Sequence, residues 1–118
     1  MVEEAERELL QHLSTLLAQK ITDYVIARLR GRRIRTLDVK VRILDYEKLL
    51  FDIEVNVDTD LLVPDYYLNR VASEAVDYGF SILDKVMSYI LSRNMRVSLH
   101  ELERIIEECS RTSNHNST

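Results

Sequence analysis

The chain is poor in the residues that build loops and covalent frameworks. It has 2 Gly, 1 Pro and 1 Cys in 118 residues. So little Gly and Pro excludes long irregular connections and the Gly-rich loops that cradle phosphates. A single cysteine, Cys109, excludes an internal disulfide framework and fits a reducing compartment. No apolar run approaches the ~18 residues of a membrane span. The acidic stretch Met1–Glu8 is unlike the basic n-region of a secretory signal, so the expected location is the cytoplasm. There is no nucleophile elbow and no zinc spacing. His12, His100 and His115 share no ligand spacing with one another or with Cys109. The acids from Asp45 to Asp65 lack the calcium-loop pattern. Nothing in the chain identifies a cofactor, a metal or a small-molecule substrate, and the chain reads as non-enzymatic.

What is present is a folded domain. Hydrophobic residues make up 46% and charged residues 31% of the chain, a globular balance rather than a disordered one. Residues 3–30 read as a helix, with Leu9, Leu13, Leu16, Leu17, Ile21, Tyr24 and Val25 at three- and four-residue spacing. Glu3 to Glu8 and Arg28 with Arg30 suit its two ends, and Gly31 is placed to stop it. Residues 37–44 then switch to period two, and residues 49–58 repeat the alternation, around a turn near Asp45–Lys48. Each strand has one wet face, so the pair is an antiparallel hairpin.

The register of that hairpin follows from parity and charge, since directly opposed residues must share a face. Setting Lys40 opposite Glu54 and Arg42 opposite Asp52 places Ile43 across from Phe51 and joins opposite charges. The neighbouring register sets Asp38 against Glu54. We therefore expect the first, with Lys40 and Arg42 consumed by Glu54 and Asp52.

A second long helix is expected over 64–93, opened at Pro64–Asp65 and stopped near Asn94. A third begins after Ser98, with capping-box spacing to Glu101 and staple spacing from Val97 to Leu102. The fold class is α+β, in the order α-β-β-α-α. It forms a single domain over 1–110, followed by a disordered polar tail over 111–118. Two strands cannot cover two helices of this length, so Val86, Ile90 and Leu91 need cover. The third helix supplies some of it. The rest is expected from a homodimer or a protein partner.

A long helix ending in a basic stretch, then LDVKVRI and LLFDIEVNVD, then a helix of the type LNRVASEAVDYGFSILDKV, resembles an archaeal family of small proteins known only as a domain of unknown function. The resemblance spans roughly residues 15–90. It implies an α-β-β-α core and an archaeal source, and it brings no activity and no catalytic residues to carry over.

One cluster stands apart. Arg28, Arg30, Arg32, Arg33 and Arg35 crowd the junction of the first helix and the first strand, in a chain of net charge −4. Clustered guanidinium groups are the footprint expected for phosphate contacts. Arg28 equally suits a helix C-terminus, which leaves Arg30, Arg32, Arg33 and Arg35 as the candidate nucleic-acid-binding group, with RNA the expected partner. A solvated or internally paired basic surface is the competing reading. Tyr66 and Tyr67, where the second helix starts, do not lie on the strands beside the arginines and are expected as buried rings with wet hydroxyls. The alternative function is an assembly or scaffold subunit that docks through its amphipathic helices.

Overall fold

The computed structural model describes residues 3–30, 32–60 and 62–116, with side chains as far as Thr112. Its elements are α1 (Glu4–Arg28), β1 (Ile34–Asp45), β2 (Leu50–Thr59), α2 (Asp65–Ser92) and α3 (Leu99–Asn116). This is the α-β-β-α-α order expected from periodicity. Gly31, expected to stop α1, lies outside the described residues, as do Ser117 and Thr118. The backbone of α3 is helical to Asn116, past the point at which the sequence reading ends it.

The hairpin has the expected register. Lys40 lies opposite Glu54, Val41 opposite Ile53, Arg42 opposite Asp52 and Ile43 opposite Phe51. The pairing shifts at both ends, between Ile34 and Thr36 and between Ile43 and Asp45. At the turn, Asp45 Oδ1 accepts from the backbone N–H groups of Glu47 (2.9 Å) and Lys48 (3.0 Å). Leu49 there is left-handed, at φ 57°.

One side-chain expectation fails. Lys40 Nζ lies 3.5 Å from Asp38 on its own strand, not on Glu54. Arg42 instead spans both acids, at 3.5 Å from Asp52 and 3.4 Å from Glu54. Glu54 also accepts from Asn56 Nδ2 at 3.0 Å. The long planar guanidinium can serve one directly opposed and one diagonal acceptor, whereas the ammonium takes one point contact. Backbone register therefore does not settle which charges meet.

The apolar face of the hairpin lies on α1 and α2, which pack against each other; β1 sits on α1 and β2 on α2. α3 touches α1 and α2 and no strand among the described residues, so it lies on the side of the helix pair away from the hairpin. Val86 and Ile90 are completely buried, while Leu91 remains 51% exposed. α3 packs on α2 and so gives the share of cover expected of the third helix. Gly79 on α2 marks a close approach to α1 and β2. A Cβ there would lie 2.6 Å from Ile21 Cδ1 and 3.0 Å from Ile53 Cδ1.

α2 ends in a Schellman arrangement. The N–H of Met95 donates to the Ile90 carbonyl at 2.9 Å and that of Asn94 to Leu91 at 3.1 Å. α3 opens with Ser98 Oγ accepting from the Glu101 N–H at 3.0 Å. The carboxylate of Glu101 accepts from Tyr89 Oη, so the Ser98 half of the expected capping box is formed. No helix among the described residues is long and apolar enough to cross a membrane.

Candidate nucleic-acid interface

The end of α1, the start of β1, the end of β2 and the first turn of α2 meet at one end of the molecule. Ile34 pairs with Thr59 there, and Tyr67 Oη donates to the Arg28 carbonyl at 3.4 Å. Hairpin closure thus brings the arginine run beside residues more than thirty positions later in the chain.

The arginines at this end have different partners. Arg28 is half-buried and donates to the Glu74 carboxylate on α2 and to Tyr24 Oη, the latter at 2.8 Å. The hydrogen bond to Glu74 raises the Arg28 guanidinium above its ordinary value, and the same bond holds the Glu74 carboxyl below its own. Arg28 therefore ties α1 to α2.

Arg35 lies on β1, since the strand begins at Ile34 and not at Leu37. It stands 4.0 Å from Asp58, with both side chains more than half exposed. Such a pair contributes little, on the order of 0–1 kcal/mol. Arg32 lies over the ring of Tyr67, its guanidinium carbon 6.0 Å from the ring centroid, within cation–π range. Arg30 and Arg33 are exposed, and no acid among the described residues pairs with either of them.

Around them, Arg33, Arg35, Asp60 and Leu62 line a shallow open concavity. A neighbouring hollow is lined by Arg35 together with Asp58, Asp60, Asp65 and Leu68. Asp60 shapes this connection, since its Oδ1 accepts from the Leu62 N–H at 3.2 Å. Two large apolar groups stand out into solvent beside it: Leu62 is 84% and Tyr66 72% exposed. Tyr66 and Tyr67 open α2, so they share this end with the arginines. Neither lies on a strand, as expected, but Tyr66 is no buried ring. The signal was absent from local sequence because the juxtaposition is made by the hairpin.

The remaining titratable groups lie elsewhere. Cys109 is half-buried against the core, and burial pushes its thiol up. His12 lies 3.5 Å from Glu103 across the α1–α3 seam, and His100 is exposed at the start of α3. The side chain of His115 is outside the described residues. No group of three His, Cys, Asp or Glu among the described residues is arranged to hold a metal ion.

Residues 2–86 match the model of the family described as "Protein of unknown function (DUF3194)", and the chain belongs to that family. The matched stretch takes in the whole arginine end and stops inside α2, so α3 lies beyond it. No curated protein and no solved structure matches the chain.

Proposed function

We propose that this protein is a non-enzymatic RNA-associated protein that meets single-stranded RNA at its arginine end. Arg30, Arg32, Arg33 and Arg35 contact phosphates, and Tyr66 offers an exposed ring to an unpaired base. The observation that carries this reading is the contrast within the run. Arg28 is committed to Glu74 and Tyr24, whereas Arg30 and Arg33 are exposed with no acid among the described residues paired to them. Arg32 and Arg35 have only a ring contact and a loose surface pair. Positive charge that tracks the backbone together with an exposed aromatic ring is what binds unpaired strands without base preference. The net charge of −4 confines such contact to this end. An archaeal source rests on the family resemblance, and a cytoplasmic location on the lone Cys109; both belong to the same reading.

The chain has no Trp, so its ultraviolet emission comes from tyrosine. Adding a short single-stranded RNA should quench that emission, and Tyr66→Ala should remove most of the quenching while leaving residual binding. Stacking of one base is worth about 1–3 kcal/mol, so affinity should fall roughly five- to a hundredfold. Unchanged quenching and affinity in Tyr66→Ala would remove the stacking role, and no binding by the wild type would overturn the proposal.

A further inference from the structure

α3 seats Leu102, Ile105 and Ile106, all buried, on the α1–α2 pair. Its rim is polar. Glu107 meets Lys20 of α1, Glu103 lies 3.5 Å from His12 of α1, and Glu101 accepts from Tyr89 of α2. All of this is joined to α2 by residues 93–98 alone.

That connection is conformationally costly. Asn94 has φ 54° and Met95 φ 64°, so two consecutive residues other than glycine are left-handed. Asparagine tolerates this region better than methionine, whose Cβ is crowded there; the bond from the Met95 N–H to the Ile90 carbonyl and packing of the side chain on the core hold it in place. Residues 93–98 read Arg-Asn-Met-Arg-Val-Ser and contain neither Gly nor Pro. Nothing covalent prevents α2 from continuing straight through them.

We propose that this chain exchanges α3 with a second copy of itself. In the exchanged form Arg93–Ser98 become helical, α2 and α3 merge into one helix, and each α3 docks on the α1–α2 face of the other copy. The second copy is the fitting occupant because every contact described above recurs unchanged between chains, including Lys20 with Glu107 and His12 with Glu103. Both left-handed residues are relieved at the same time. Short strained hinges favour exchange for this reason. The Schellman bonds and the Ser98 cap oppose it, so the closed form holds at low concentration and exchange rises with concentration.

The test uses two variants in a Cys109→Ala background, one carrying His12→Cys and the other, isotope-labelled, carrying Glu103→Cys. They are mixed at high concentration, cycled through mild denaturant and treated with a short bis-maleimide. A His12→Cys/Glu103→Cys double variant in one chain, closing on itself, establishes that the linker spans the seam. The proposal predicts a covalent pair containing one chain of each mass. Adding Met95→Gly to both chains relieves the left-handed cost and weakens the continuous helix, and should lower that yield at least about fivefold. Absence of the mixed pair, with the double variant closing normally, would overturn the proposal. So would a mixed pair whose yield Met95→Gly leaves unchanged.

Discussion

Arg28 donates to the carboxylate of Glu74 across the α1–α2 seam, and this one contact divides the arginine run into a structural part and an exposed part. Arg28→Ala should destabilise the fold by about 1 kcal/mol, through loss of a partly exposed charge-assisted hydrogen bond and of packing beside Tyr24. Replacing Arg32, Arg33 and Arg35 together with Ser should shift stability by less than ~0.5 kcal/mol per site. Urea denaturation separates the two cases. A triple variant that melts the protein would make those arginines structural.

Gly79 and Ile21 should prove energetically coupled. Gly79→Ala adds helix propensity worth about 1 kcal/mol, yet its Cβ would sit 2.6 Å from Ile21 Cδ1 in a fully buried setting. Overpacking of this kind costs about 1–3 kcal/mol, so the expected net effect is modest destabilisation. Ile21→Val removes the clashing carbon, and the double variant should be more stable than the sum of the single changes by at least ~0.5 kcal/mol. Strict additivity in a double-mutant cycle would refute the close approach.

Stability should fall on both sides of neutral pH. Hydrogen bonds from Arg28 and Lys20 hold the carboxyls of Glu74 and Glu107 below the ordinary 4.5. Their contribution is therefore present above pH 4.5 and is lost as pH falls through the lower folded-state values. Burial raises Tyr78 above 10.0 and Cys109 above 9.0. That contribution is present below those values and is lost as pH rises through the higher folded-state ones. Thermal melts across pH should show both limbs. Glu74→Gln should flatten the acid limb and Cys109→Ala the alkaline one.

The sequence made local patterning and parity visible. Strand alternation and the mismatch of Asp38 with Glu54 were enough to place Lys40 opposite Glu54, because face and register are properties of the backbone repeat. The ion pairs were not legible. Whether Lys40 turns to Asp38 or across the ladder depends on side-chain reach, which the repeat does not encode. The approach of Tyr67 to Arg32 was hidden for a different reason, since it exists only once the hairpin has closed. The role of α3 was half legible. Leu102, Ile105 and Ile106 announced an apolar edge that folds back on the second helix, but not the approaches of Glu107 to Lys20 and of Glu103 to His12 on α1.

The central claim is that exposed arginines at one end of the fold contact phosphate, and the salt dependence of binding tests it most directly. Affinity for a single-stranded RNA should be measured over a range of salt concentrations for the wild type and for the variant with Arg32, Arg33 and Arg35 replaced by Ser. The account predicts a log–log slope of about −0.7 per phosphate contact. The triple variant should show a slope shallower by about two units and weaker binding to every sequence tried. Wild-type binding that is absent, or that does not change with salt, would contradict it.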